Sequence, residues 1–274
     1  MSYFEHEGCK LHYETEGNGQ PLVLLHGLAA DCADWLPVRA LLAKYFLVVM
    51  PDNRLSGRSA CPPGPVSAAD LAGDVRALLD HLGLKKSSVA GHSMGGYVAQ
   101  EFALRFPERL DKLVLEGTGA ACSARNAALL REMAVLAGKN GYSRSFWRLM
   151  LPWMISPKMY SNPSTIDLMV KVISEYPYML SPEKFAASVE IIAAHDASSR
   201  LSGVTAETLV ISGGHDILMP AEEGRALADI IPGARFAYAK EAGHSVHFEL
   251  PDVFAQAVTV FLRGELPAPD KSAS

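Results

Sequence analysis

Two kinds of hydrophobic pattern alternate along the chain. Short, nearly continuous apolar runs at 21–26, 46–51, 87–92 and 110–116 are separated by segments near 35–44, 68–82 and 94–106 whose apolar positions recur every three to four residues. The alternation resumes with runs at 208–212 and 234–239 and helical patterns at 221–231 and 251–263. An amino-terminal hairpin from about Tyr3 to Thr15 precedes them. Strands that read as unbroken apolar runs between helices imply a mostly parallel sheet covered on both faces, hence an α/β fold. Between Thr118 and Thr205 the pattern changes. Helical stretches there are interrupted by Pro152, Pro157, Pro163, Pro177 and Pro182, with no clear strand. The expected organisation is a core of residues 1–117 and 206–264, a helical insertion at 118–205, and a polar, proline-containing tail at 265–274.

Composition narrows the setting. A chain of 274 residues is long enough for one large α/β core plus an insertion. Its net charge of −5 offers no basic face for nucleic acid. No apolar stretch reaches membrane-spanning length, and the segment Met1 to Glu7 has no apolar signal-like core. Cys9, Cys32, Cys61 and Cys122 show no framework spacing, which predicts free thiols and a cytoplasmic location.

The chemistry concentrates at Gly91-His92-Ser93-Met94-Gly95-Gly96, between an apolar run and a helical pattern. A G-x-S-x-G sequence in that context is a nucleophile elbow: a tight turn lifts the serine hydroxyl above the sheet edge, with a helix N-terminus behind it. A serine nucleophile needs a base, and the base an orienting acid, in the chain order Ser, Asp or Glu, His. Asp216 and His244 satisfy that order, each just past the end of an expected strand, where open α/β sheets place their sites. His247 and Glu116 stand as the competing base and acid. The strand ending at His26-Gly27-Leu28 supplies a second turn, so the expected oxyanion donors are the backbone amides of Leu28 and Met94. His92 is expected to pack under the elbow, His26 to hold the oxyanion turn, and Asp52 to tie loops together. His6, His12, His81, His195 and His215 lack motif context.

Other chemistries are disfavoured. Ser93 stands where a dinucleotide fingerprint requires glycine. No Walker sequence and no H-E-x-x-H occurs, and no Cys or Glu lies at ligand spacing around His244 and His247, so neither metal nor cofactor is expected.

Taken together, His26-Gly27, Asp52-Asn53-Arg54 with Gly57 and Ser59, the Gly91–Gly96 elbow, Gly213 to Asp216, and Gly243-His244 resemble the α/β-hydrolase-fold serine hydrolases over nearly the full length. Leu55-Ser56 stand where members commonly carry Gly-His. The resemblance implies that the insertion is a cap over the active site, and Ser93 excludes the subfamilies with an aspartate nucleophile. The insertion holds Met133, Met150, Met154, Met159, Met169, Met179, Trp147 and Trp153; most of these should fill its own core. Trp35, Trp147, Met150, Trp153 and Met219 are the expected apolar substrate wall, suited to an alkyl or aryl acyl group. The implied activity is carboxylic ester hydrolysis through Ser93, Asp216 and His244 on a small-molecule ester. Enol-lactone hydrolysis, carbon–carbon bond hydrolysis of aromatic catabolism, cofactor-free perhydrolysis and ligand reception on a silent triad share the same residues and stay open.

Overall fold

The computed structural model describes residues 2–264; the expected tail at 265–274 lies outside the described residues. Strands β1 (Ser2–His6) and β2 (Cys9–Glu16) form an antiparallel hairpin. Its two-residue loop places Glu7 at φ 47° and Gly8 at φ 76°, the positive dihedrals that match the twist of paired strands. Then follow β3 (Gln20–Leu25), a 3₁₀ turn (Cys32–Trp35), α1 (Leu36–Leu42), β4 (Phe46–Pro51), α2 (Ala68–His81), β5 (Ser87–His92), α3 (Met94–Arg105) and β6 (Leu110–Glu116). Five helices come next: α4 (Ala124–Asn140), α5 (Arg144–Met154), α6 (Pro157–Tyr160), α7 (Pro163–Ser174) and α8 (Pro182–Ala194). The chain ends with β7 (Glu207–Gly213), α9 (Ala221–Ile230), β8 (Arg235–Ala239), α10 (Val246–Glu249) and α11 (Pro251–Arg263).

One eight-stranded sheet runs in the order β1-β2-β4-β3-β5-β6-β7-β8, antiparallel through β1, β2 and β4 and parallel beyond. Alternate side chains of each strand enter opposite layers. Val23, Leu25, Val89, Leu113 and Val210 pack towards α2, α3 and α9, while Leu22, Leu24, Ala90, Val114 and Ile211 pack towards α1 and α11. Each fully buried leucine or valine contributes about 1.5–3 kcal/mol relative to exposure. That double coverage is why these strands read as continuous apolar runs.

Local signals set the helix ends. The Ser67 hydroxyl accepts from the Asp70 amide while Asp70 accepts from the Ser67 amide, a capping box that starts α2. Pro157, Pro163 and Pro182 open α6, α7 and α8 at their first positions, where a missing N–H is harmless. Pro152 corrects the expectation of a break. It lies inside α5, two residues before its end, with its ring exposed.

The helices between β6 and β7 leave and rejoin the sheet at one point, where Ala121 and Asp196 bridge and the Ala197 amide donates to the Ala120 carbonyl. Asp52, just past β4, ties several loops: it accepts from the amides of Cys32 and Arg58 and pairs with His12 Nδ1 at 3.0 Å. The expectation of four free thiols is corrected at two positions. Cys9 and Cys61 form a disulfide because the Lys10–Ala60 bridge brings the loop after β4 alongside β2. Cysteine usage therefore no longer argues for a reducing compartment. No helix among the described residues is long and apolar enough to cross a membrane.

Candidate active site

Ser93 follows β5 directly and precedes α3, with φ 53° and ψ −117°. Holding a non-glycine residue there costs on the order of 1–3 kcal/mol and requires a surrounding that overdetermines it. That surrounding is visible. The Ser93 amide donates to the Glu116 carbonyl at 2.9 Å, and the Gly96 amide to the Ser93 carbonyl at 2.9 Å. A Cβ on Gly91 would overlap the Gly95 carbonyl, and one on Gly95 the Leu25 carbonyl, so the glycines let strand, turn and helix close on one another.

His244 is fully buried, and its Nδ1 lies 2.8 Å from Asp216 Oδ2. Asp216 Oδ1 accepts from the amides of Leu218 and Met219 at 3.0 and 2.8 Å, which fixes the carboxylate. The Asp216 carboxylate accepts a hydrogen bond from His244 Nδ1–H, leaving Nε2, which is buried and without a hydrogen-bond partner, as the basic atom. Burial would lower the His244 pKa, but the Asp216 carboxylate outweighs it and holds the imidazole above its ordinary value. The competing carboxylate, Glu116, is engaged elsewhere. Glu116 accepts from the His247 amide at 2.8 Å and lies 2.9 Å from His247 Nδ1. Burial opposes charge on His247, yet Glu116 and Asp34 together raise its pKa to about 10.

A cavity of about 90 Å³ joins these parts, bounded by Gly27, Leu28, Ser93, His244, Met150 and Met219 among others. Gly27 is close to Ser93: a Cβ added to it would lie 3.4 Å from the serine Cβ. His26 Nδ1 donates to the Gly27 carbonyl at 2.9 Å and its Nε2 accepts from the Asn53 amide, which fixes that turn. Met94 opens α3 next to Ser93.

Leu28, Met150 and Met219 thus line the cavity, whereas Trp35, Trp147 and Trp153 do not. Trp35 is fully buried on the other side of the sheet against His247, ring centroids 4.5 Å apart, and Phe254. Trp147 stacks on Tyr142 and meets Phe146 edge-on inside the helical segment's own core. Trp153 is half-buried away from the cavity. Among the lining residues missed were Asp34, Tyr97, Asn126, Leu130, Met154 and Ile192. Met154 was findable, since it sits one helical turn past Met150 on the same face. His92 packs beneath the elbow and also reaches the cavity, its Nε2 3.3 Å from the His244 carbonyl.

The helices between β6 and β7 hold the loops that carry Asp216 and His244. Arg125 and Asn126 on α4 donate to the carbonyls of Ile217 and Leu218. The carbonyl of Met154 on α5 accepts the His244 amide at 2.9 Å, and Glu249 binds the amides of Gly243 and Ser156 together. Two clusters could present three ligand atoms each to a cation: half-buried Asp34 with buried His92 and His247, and buried His12 with Cys32 and Asp52.

A family model described as the alpha/beta hydrolase fold matches residues 20–251. Among similar sequences is the candidate carbamate hydrolase RutD of Azorhizobium caulinodans, 28% identical over 95% of this chain and 98% of that protein. Among solved structures, a thermophilic esterase from Thermogutta terrifontis is 32% identical with a TM-score of 0.83, covering 93% of this chain and 94% of its own. The enol-lactonase from Burkholderia xenovorans LB400 is 31% identical with a TM-score of 0.86, covering 96% and 100% respectively.

Proposed function

The chain belongs to the α/β-hydrolase fold family, and from that premise we propose that it hydrolyses small, uncharged carboxylic esters through Ser93, His244 and Asp216. The observation that carries this reading is that Ser93 and the unpartnered Nε2 side of an Asp216-bound His244 border one cavity whose remaining wall is largely apolar. The helices between β6 and β7 serve as its cap. Ser93 Oγ attacks the ester carbonyl while His244 Nε2 takes its proton, and Asp216 stabilises the imidazolium without itself being protonated. The amides of Leu28 and Met94 receive the developing oxyanion. His244 then protonates the departing alcohol, and on the return leg removes a proton from the water that releases the acid.

The preference for uncharged substrates rests on electrostatics. Among the described residues lining the cavity there is no Arg or Lys, and Asp34 adds a carboxylate: burial opposes its charge, yet His247 holds its pKa well below the usual range. A free substrate carboxylate would be desolvated there without a partner. A neutral lactone is the second reading, favoured by the likeness to an enol-lactonase and requiring the same steps. The test is active-site labelling by a fluorophosphonate. Ser93 should carry the label, and Ser93→Ala should lower kcat by about 10⁶. Label on another residue, or an active alanine variant, overturns the assignment.

A further inference from the structure

Behind the cavity, three side chains from distant segments converge: Asp34 on the 3₁₀ turn after β3, His92 at the end of β5, and His247 on α10. Their ligand atoms all lie within 4.8 Å of one another. Both imidazoles are buried, His92 at 2% exposure and His247 at 0%. Each ring is oriented by an oxygen on its far side. Glu116 accepts from His247 Nδ1, and the His244 carbonyl, which can only accept, takes the proton of His92 Nε2.

That arrangement turns His247 Nε2 towards Asp34 Oδ1 at 3.6 Å and His92 Nδ1 towards Asp34 Oδ2 at 3.7 Å. Neither nitrogen has a hydrogen-bond partner, and neither does Asp34 Oδ2. The separations exceed the roughly 3.2 Å limit of a good N–H···O bond. They are close to the about 3.4 Å expected between two atoms that each sit about 2.1 Å from a tetrahedral ion. For His92 the mismatch is sharper, because a nitrogen lone pair faces a carboxylate with no hydrogen between them.

The geometry points to a site for a divalent transition cation of the zinc type, ligated by the Asp34 carboxylate, His92 Nδ1 and His247 Nε2. Two imidazoles and one carboxylate suit such an ion. The Glu116–His247 pair has the form of a carboxylate–histidine–metal relay, in which the outer carboxylate fixes ring orientation and raises ligand basicity. Asp34 and His92 also border the cavity, so the site adjoins it. The other cluster carries no such inference: the Asp52 carboxylate of the His12–Cys32–Asp52 group is saturated by two amides and an imidazole.

The decisive experiment titrates Zn²⁺ into chelator-treated full-length protein by calorimetry, with Co²⁺ absorption as the spectroscopic companion. One ion should bind per chain, and Co²⁺ should show the visible bands of a low-coordinate nitrogen- and oxygen-ligated site. Asp34→Asn and His92→Gln, both checked for folding by circular dichroism, should lose that site, and Glu116→Gln should weaken it about 10–100-fold. Ser93→Ala should bind Zn²⁺ as the parent does, so the cation site and the esterase reading stand or fall separately. Absence of a stoichiometric site in the parent, or binding unchanged in folded Asp34→Asn and His92→Gln, overturns the proposal and leaves His247 as an imidazolium held between two carboxylates.

Discussion

The size of the cavity sets a chain-length optimum that can be measured. At about 10–15 Å³ of such volume per water-sized group, the cavity of about 90 Å³ holds about six to nine non-hydrogen atoms. With the carbonyl group occupying part of it, the acyl chain that fills the rest has about six carbons. Each added methylene below that length contributes about 0.8 kcal/mol, or about fourfold in kcat/KM. Butanoate should therefore exceed acetate by about fifteenfold, and decanoate should fall well below hexanoate. The perturbation is Met150→Ala, which removes three non-hydrogen atoms from the wall and should move the optimum about two to three carbons longer. Trp153→Ala is the matched control, because that side chain is half-buried outside the lining. Initial rates on p-nitrophenyl esters of graded acyl length read all three proteins with one leaving group. A flat series, or an optimum that moves in Trp153→Ala and stays fixed in Met150→Ala, would refute the assignment of this cavity as the acyl site.

Asp216→Asn should lower kcat about 10³–10⁴-fold, because an amide favours the wrong tautomer of His244; steady-state rates of Glu116→Gln should fall much less, and the reverse ranking would move the acid to β6. kcat/KM on a non-ionising ester should rise with pH through a transition above the ordinary histidine value of 6.5, since Asp216 raises the His244 pKa against burial and the base works only when neutral. A pH-independent profile, or a transition below 6.5, contradicts that pairing. Gly95→Ala should abolish activity and lower the melting temperature, because its Cβ overlaps the Leu25 carbonyl in the elbow; a folded, active variant would show that the turn is looser than described.

Much of the fold was legible because burial on both sheet faces leaves strands with little sequence ambiguity. The runs at 46–51, 87–92 and 110–116 coincide with β4, β5 and β6. The positions of Ser93, Asp216 and His244 followed from the same regularity, each lying just past a strand end. What escaped depended on contacts between remote segments. Cys9 and Cys61 are 52 residues apart, and their meeting rests on the Lys10–Ala60 bridge, which no local pattern announces. The tryptophans were misplaced because large aromatic rings are equally at home in a helical segment's own core, where Trp147 lies, and in a binding wall. Spacing rules could not bring together Asp34, His92 and His247 of the proposed cation site, which come from three separate elements.

The bonds from α4 and α5 to the acid and histidine loops have a consequence for redesign. Asn126 braces the segment after Asp216, and the Met154 carbonyl holds the His244 amide, while Leu130 and Met154 on the same helices shape the cavity. If the proposed function holds, changes made to the wall are therefore carried to the Asp216 and His244 loops through shared struts. A chimera that grafts a relative's helices between β6 and β7 would import a new wall and discard the braces with it. A single side chain such as Met150 can be exchanged without touching those bonds, whereas replacing the whole segment removes them.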